Sequence, residues 1–184
     1  MPVEVKVVVL GQNGSGKSSI VIKFVNGIFG SDIDITIEDT YYKQVEYDGE
    51  MYCLEIFDTV ESDDYSNREF KASGIRNGDV FLCVYSITNR NSFETIPEFI
   101  ENIMRVKDLD KPPKKIVIVG NKSDVETSER KVQEQEGIDL AKKYGAPFFE
   151  TSAKRDINLR ETFEELTLRV NIIEEHHNMQ NKRK

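Results

Sequence analysis

The sequence predicts an α/β domain built on a six-stranded, mostly parallel sheet with one antiparallel edge strand and about five helices. Three observations indicate this class. Short β-branched runs alternate with longer segments of helical period. The runs are almost continuously apolar, which is typical of strands covered by helices on both faces. A hairpin-like stretch, YDGEMY (47–52), joins two of the runs and predicts the antiparallel edge.

Each element of this fold can be placed along the chain. The predicted strands are residues 5–10, 41–48, 52–57, 80–87, 115–120 and 147–151. The predicted helices, in which apolar residues recur three or four positions apart, are residues 17–27, 66–76, 92–106, 129–143 and 159–177. The 184 residues with 38% hydrophobic content suffice for one core, so we assign residues 1–178 to one domain and residues 179–184 to a short basic tail.

Charge and composition exclude several classes of protein. With 33 acidic against 25 basic residues the net charge is -8, which argues against a nucleic-acid binder because phosphate contacts need clustered Lys and Arg. No run is long and apolar enough to span a membrane. Cys53 and Cys83 lie in apolar runs, so we expect two reduced, buried thiols. These features predict a cytoplasmic protein.

The first predicted strand ends in GQNGSGKS (11–18), which matches the phosphate-binding pattern G-x-x-x-x-G-K-[ST]. A strand precedes the stretch and a helix follows it, as this loop requires, because its backbone N–H groups and the helix N-terminus face the phosphates. Lys17 would reach the terminal phosphates and the Ser18 hydroxyl would bind Mg²⁺. An ordinary glycine turn is the alternative. The candidate nucleotide contacts in this stretch are Asn13, Gly14, Ser15, Gly16, Lys17, Ser18 and Ser19.

Two further strand ends indicate which base is bound. NKSD (121–124) follows the fifth strand, and the Asp124 carboxylate can accept from guanine N1–H and the 2-amino group, whereas adenine N1 is an acceptor. TSAK (151–154) follows the sixth strand, where the Ala153 N–H could face the guanine carbonyl and Lys154 could flank the ring. NKSD alone is also a common turn composition. The candidate base contacts are Asn121, Lys122, Asp124, Ser152, Ala153 and Lys154.

The ordered set GQNGSGKS, TIEDTY, DT, NKSD and TSAK resembles the Ras superfamily of small GTPases, and the Ras and Rap-like branch in particular. The resemblance implies the P-loop NTPase fold of a small G-domain, GTP or GDP as bound nucleotide, and Mg²⁺. It implies that Phe29 packs on the guanine edge, that Thr36 binds Mg²⁺ and the γ-phosphate, and that Asp58 holds Mg²⁺ through water. It also implies effector proteins that bind switch I at residues 34–41, an exchange factor and a GTPase-activating protein.

The segment DTVESDD (58–64) departs from this family. Glu61 stands where relatives have the glycine whose N–H contacts the γ-phosphate, and Ser62 stands where most have the Gln that orients the attacking water. The resemblance therefore implies a GTPase with slow hydrolysis. In one alternative, Glu61 or Asp63 orients the water instead. The residues that the resemblance places at the reacting phosphate are Lys17, Thr36, Glu61 and Ser62.

Two other departures affect regulation. Asn13 replaces a usual Gly in the phosphate loop, where it would crowd the arginine of a helper protein, although Asn tolerates positive φ. No cysteine follows Cys83, so the chain as written lacks a prenylation motif, and membrane association is expected only if a lipidated tail is missing from it. Besides the slow GTPase, a nucleotide-loaded interaction module with almost no turnover and, more distantly, an ATP-using enzyme stay open.

Overall fold

The computed structural model of the protein describes residues 2–30, 39–59 and 65–181. Within them, the six predicted strands are confirmed and form one sheet in the order β2-β3-β1-β4-β5-β6, with β2–β3 antiparallel and the other pairs parallel. The strands are β1 Val3–Leu10, β2 Asp39–Tyr47, β3 Glu50–Asp58, β4 Val80–Ser86, β5 Ile116–Asn121 and β6 Phe148–Thr151. The predicted α/β class with one antiparallel edge is therefore confirmed.

The antiparallel edge depends on a two-residue turn between β2 and β3. Asp48 and Gly49 have φ angles of 52° and 79°, and the flanking residues Tyr47 and Glu50 pair across the ladder. Positive φ at both central residues is characteristic of the type I′ turn, whose twist matches that of the strands it joins. The Asp-Gly pair therefore sets the register of the edge strand.

All five predicted helical segments contain helix, but one of them is divided and two of their ends lie several residues from the predicted positions. The helices are α1 Lys17–Asn26, α2 Tyr65–Asn77, α3 Arg90–Glu94, α4 Ile96–Lys107, α5 Glu134–Tyr144 and α6 Leu159–Asn181. The segment predicted at 92–106 is divided at Thr95, beside Pro97, which cannot donate a backbone hydrogen bond. α5 begins at Glu134 because Gln133 and Glu136 form a capping box there. α6 continues past residue 178, and the division of the chain at that residue stays a prediction.

Helices cover both faces of the sheet and bury a separate apolar cluster on each. α1 and α6 pack on one face, where Phe24 of α1 stacks on Phe163 of α6 with ring centroids 3.8 Å apart. α2, α4 and α5 pack on the other face around Phe81 and Tyr85 of β4. Because β1, β3, β5 and β6 run parallel, their carboxyl ends meet at one edge, where ligands bind in sheets of this kind.

The two cysteines are free thiols in different environments. Cys83 is fully buried, and burial raises the pKa of its thiol to about 12. Cys53 is only half-buried, which corrects the expectation that both thiols are buried; it lies beside the edge strand, opposite Gln44. Among the helices of the described residues, none is both long and apolar enough to cross a membrane.

Candidate nucleotide-binding site

The turn between β1 and α1 has a backbone that requires glycine at two positions. Gly16 has φ 91°, and a Cβ atom there would lie 2.2 Å from the Asn121 side-chain nitrogen. A Cβ atom on Gly11, at φ 149°, would lie 2.1 Å from the Val84 carbonyl oxygen. Both distances are too short for any side chain, so the turn packs directly against β4 and β5. Its backbone is thereby held at the strand ends.

The basic residue of this turn is held close to the loop. α1 begins at Lys17, which is only 6% exposed, and its ammonium group donates to the Gln12 carbonyl oxygen at 3.3 Å. The first N–H groups of a helix and a nearby ammonium together favour phosphate oxygens. Asn13 is exposed and is not among the residues with positive φ, so the loop does not depend on the tolerance of Asn for that conformation.

Asp58, at the carboxyl end of β3, is a fully buried carboxylate. Neither of its side-chain oxygens has a hydrogen-bond partner among the described residues. Burial raises the pKa of this carboxyl above its ordinary value, while the Ser18 hydroxyl and the Lys17 ammonium oppose that rise. A buried charge whose oxygens lack hydrogen bonds costs several kcal/mol, which the nearby Ser18 hydroxyl and Lys17 ammonium offset in part. Hydroxyl and carboxylate oxygens are ligands that Mg²⁺ prefers, so Ser18 and Asp58 fit this ion.

The next residue anchors the end of β3 to the neighbouring strand. The Thr59 hydroxyl donates to the Val9 carbonyl oxygen at 2.7 Å, and Val9 pairs with Asp58 in the parallel ladder. Thr59 is 2% exposed, so this bond is shielded from water. The position of Asp58 is therefore fixed by the sheet itself.

A second set of residues encloses a cavity of about 170 Å³ beside the phosphate turn. The sequence predicted eight of its nine lining residues as base or phosphate contacts, including Phe29, which is 44% exposed. Val125 was missed, although it directly follows the predicted base-reading residue Asp124. The cavity is lined by Gly16, Ser19, Phe29, Asn121, Lys122, Asp124, Val125, Ala153 and Lys154.

The Asp124 carboxylate is oriented by a neighbour from the adjacent loop. The Ser152 hydroxyl donates to one Asp124 oxygen at 2.6 Å and in turn accepts from the Arg155 backbone N–H at 3.0 Å. This bond fixes the plane of the carboxylate and leaves it capacity to accept from a ligand. An oriented carboxylate in a cavity of this kind can select a ligand edge that carries two donors.

Two hydrogen bonds connect a predicted base-binding loop to the phosphate turn, and a third joins the two predicted base-binding loops to each other. The Asn121 amide donates to the Ser15 carbonyl oxygen at 3.1 Å and accepts from the Thr151 hydroxyl at 3.2 Å. The Lys122 ammonium donates to the Gly14 carbonyl oxygen at 2.8 Å. Thr151 was not predicted as part of the site, and only its position before Ser152 could have suggested it. The three loops therefore form one connected unit.

The remaining predicted site residues lie outside the part of the chain that the structure describes. They include the proposed metal and γ-phosphate ligand of switch I and the two altered positions of DTVESDD. These residues are Thr36, Glu61 and Ser62. Of the predicted switch I contact surface, the structure describes only its end, where β2 begins at Asp39.

The described geometry agrees with the comparison to known proteins. The Ras family model matches residues 6–172. The chain belongs to the Ras family. The Ras-like protein rasC of Dictyostelium discoideum is 48% identical over 158 residues, which cover 86% of this chain and 82% of that protein. Ras-like protein rasB of the same organism is 46% identical over 91% of this chain and 82% of its own length.

A yeast relative extends the comparison. Ras-like protein 1 of Saccharomyces cerevisiae is 46% identical over 160 residues, which cover 87% of this chain but only 50% of that protein. Ras family members in general bind guanine nucleotides with Mg²⁺, hydrolyse GTP and act in signalling through effectors, exchange factors and GTPase-activating proteins. The chain is therefore a Ras-like GTP-binding signalling protein.

Proposed function

We propose that this Ras family member selects guanine nucleotides through Asp124 and holds them at the three connected loops. The observation that carries the proposal is the cavity beside the phosphate turn, in which the Ser152 hydroxyl orients the Asp124 carboxylate at 2.6 Å. Guanine presents two donors to such a carboxylate, whereas adenine presents an acceptor that it would repel. A buried charged group left unpaired by the wrong base can produce discrimination on the order of 10⁴.

Nucleotide competition tests this proposal. We expect GDP to displace a fluorescent guanine nucleotide from the protein in the presence of Mg²⁺. ADP should fail to displace it even at a concentration about a thousandfold higher than that of GDP. Displacement by ADP at a concentration similar to that of GDP would mean that Asp124 does not read the base. XDP serves as the matched control because it keeps the ring size and lacks the 2-amino donor.

Mg²⁺ is the proposed cofactor of the phosphate end. Ser18 and Asp58 would hold it together with Thr36, which the resemblance assigns to the same ion. The support is the buried Asp58 carboxylate, whose oxygens have no hydrogen-bond partner among the described residues. When bound, Mg²⁺ neutralises phosphate charge; the chain contributes the Lys17 ammonium and the N-terminus of α1 to the same phosphates.

Effector binding is proposed at switch I and the start of β2, over residues 34–41. β2 is an edge strand of the sheet formed by the described residues, and it begins at Asp39. An edge strand offers backbone donors and acceptors to an extended segment of a partner. This geometry supports a partner surface next to the proposed nucleotide site.

Hydrolysis is proposed to be slow. Glu61 replaces the glycine that relatives use at the γ-phosphate, and Ser62 is too short to orient water as a Gln does. The exposed Asn13 side chain would also crowd an arginine supplied by a GTPase-activating protein. The same substitutions support the second candidate, an interaction module that holds its nucleotide with almost no turnover. Single-turnover hydrolysis of bound GTP separates the two.

A further inference from the structure

A second cavity, of about 390 Å³, lies between the end of α1, strand β2 and the beginning of α6. Its apolar walls come from Phe24, Val45, Tyr47 and Leu159. Tyr47 and Leu159 are almost completely buried, and Phe24 is held by its stacking on the α6 ring of Phe163. A volume in this range is sufficient for a small organic molecule.

Three basic side chains line the same cavity. The Lys43 ammonium donates to the carbonyl oxygens of Phe24 and Val25 at the end of α1. The Lys23 ammonium donates to the Gly27 carbonyl oxygen at 3.0 Å and lies 3.8 Å from Asp156. Both lysines line the cavity, and their ammonium groups are held in place by these bonds.

The rim of the cavity determines how much negative charge it can accept. Arg160 adds a third positive charge, and it is exposed. Glu46 and Asp156 line the same cavity, so its basic lining residues exceed its acidic ones by a single charge, on a chain whose net charge is -8. The charges of Glu161 and Glu164 on α6 also act on the Tyr47 wall. The cavity therefore accepts at most one negative charge and disfavours a polyphosphate, because further negative charge close to these carboxylates would be repelled.

We propose that this cavity is a second ligand site, which takes an organic monoanion with an apolar body. The apolar part packs among Phe24, Val45 and Leu159, and the anionic group lies toward Lys23 and Arg160. A ligand of this size gains its affinity from the buried apolar area together with one or two charge-assisted hydrogen bonds.

The site adjoins the proposed guanine cavity through two shared segments. In the first segment, Gly27 lines the second cavity and Phe29 lines the proposed guanine cavity. In the second segment, Lys154 lines the proposed guanine cavity and Asp156 lines the second cavity. The Lys23–Asp156 ion pair connects these segments. A bound anion restrains both segments and slows nucleotide release. This regulatory part of the inference rests on the proposed guanine-nucleotide binding.

Binding itself can be measured without reference to nucleotide. Titration of the protein as purified with 2-naphthoate, followed by backbone ¹H–¹⁵N shifts, should give saturable shifts at Gly27, Val45 and Leu159. We expect a dissociation constant of about 0.1–1 mM, as for a fragment-sized ligand. The neutral isostere 2-naphthamide should bind at least about fivefold more weakly. No saturable shift at these residues, or equal binding of the two compounds, overturns the site.

Three charge variants locate the binding. Arg160→Glu should weaken 2-naphthoate binding by about tenfold, and Glu46→Gln should strengthen it by about twofold, because exposed charges interact modestly. Both positions are exposed, so neither change threatens the fold. Arg76→Glu, at an exposed arginine of α2 outside the cavity lining, is the matched control and should leave affinity unchanged. An equal loss with Arg76→Glu and Arg160→Glu would mean non-specific attraction and would overturn the proposal.

Release of a fluorescent GDP tests the coupling. Saturating 2-naphthoate should slow release by about threefold in the wild type, a modest coupling energy, and should have little effect in Arg160→Glu. If the rate of GDP release is unchanged when the backbone shifts show that 2-naphthoate saturates the second cavity, the coupling is wrong. Failure of the protein to bind GDP would contradict the proposed function, while the shift titration would still decide whether the second site exists.

Discussion

Asp58 lies at the carboxyl end of β3 and Asp124 follows the carboxyl end of β5, and the two carboxylates differ in the partners that the protein itself gives them. Asp124 is half-buried and already oriented by the Ser152 hydroxyl at 2.6 Å. Asp58 is fully buried, its oxygens have no hydrogen-bond partner among the described residues, and burial raises its pKa. The proposed base-reading carboxylate is therefore already oriented in the protein alone, whereas the proposed metal-binding carboxylate would gain its partner from a bound cation.

This difference predicts which part of the site selects the base and which part responds to the bound metal and phosphate. A preorganised carboxylate loses little freedom when the base binds, so it can discriminate strongly between bases. A buried carboxylate whose oxygens lack hydrogen bonds is stabilised by a cation that binds to it, so we expect the region around Asp58 to respond to the metal and the phosphate. The altered residues Glu61 and Ser62 follow Asp58 and not Asp124. We therefore expect nucleotide selection to be retained and hydrolysis to be impaired.

The largest expected effect comes from Asp124→Asn. The amide donates where the carboxylate accepted, so GDP affinity should fall by about 10³-fold and preference should move toward xanthine nucleotides. Competition among GDP, XDP and ADP measures this change. If guanine affinity stays the same, the contrast between a base-reading and a metal-binding carboxylate is wrong.

A smaller effect is expected at the metal end. Ser18→Ala removes a proposed Mg²⁺ ligand and should weaken Mg²⁺ retention by about 10- to 100-fold, without changing the order of preference among bases. Lys17→Ala should weaken retention of nucleotide itself. Titration of Mg²⁺ against the rate of GDP release provides the measurement. Ser128→Ala, at an exposed serine of a 3₁₀ turn, is the control and should behave like the wild type.

Stability should respond to the unpartnered carboxylate. Asp58→Asn removes a buried charge, so the free energy of unfolding in chelator should rise by about 1–2 kcal/mol, while the stabilisation by Mg²⁺ disappears. Denaturant unfolding with and without Mg²⁺ measures both. Asp79→Asn is the comparison, because Asp79 already accepts from the Lys6 N–H at 2.9 Å and should show no gain. A loss of stability in Asp58→Asn would show that the protein alone already compensates this charge.

The smallest effect is expected at a buried polar atom for which no ligand is proposed, and it measures how much such an atom lowers the free energy of unfolding. The Tyr85 hydroxyl is buried and has no partner among the described residues, and burial raises its pKa. Tyr85→Phe should therefore raise the free energy of unfolding by about 0.5–1 kcal/mol and leave nucleotide affinity unchanged. Tyr52→Phe should lower it, since the buried Tyr52 hydroxyl donates to Glu50 at 2.9 Å. Thermal and denaturant unfolding of the pair check this opposite sign.

Much of the site was predictable because its parts are short contiguous motifs at strand ends. GQNGSGKS, NKSD and TSAK each follow a strand whose apolar run is visible in the sequence, and parallel strands bring their ends together. The register of the hairpin likewise follows from local sequence, because Asp48 and Gly49 specify the turn. Local chemistry therefore sufficed for the sheet and for most of the guanine cavity.

Features that depend on packing between distant segments were not predictable. The bond from Thr151 to Asn121 joins residues 30 positions apart, and nothing in either motif specifies it. The half-burial of Cys53 depends on which face of the edge strands is left uncovered. The cavity around Phe24 and Leu159 exists only because α1, β2 and α6 meet. The side-chain pattern of one segment does not specify which distant segments pack against it.

Single-turnover hydrolysis of bound GTP tests most directly whether selection is retained while catalysis is impaired. We expect the wild type to hydrolyse GTP below the intrinsic Ras rate of about 3–5 × 10⁻⁴ s⁻¹, and the double change Glu61→Gly with Ser62→Gln to raise the rate, because it removes a repelling carboxylate and supplies a water-orienting amide. Both proteins should keep the same preference for guanine over adenine nucleotides. A wild type that reaches the Ras rate and is slowed by the double change would contradict this account and would assign the water to Glu61 or Asp63.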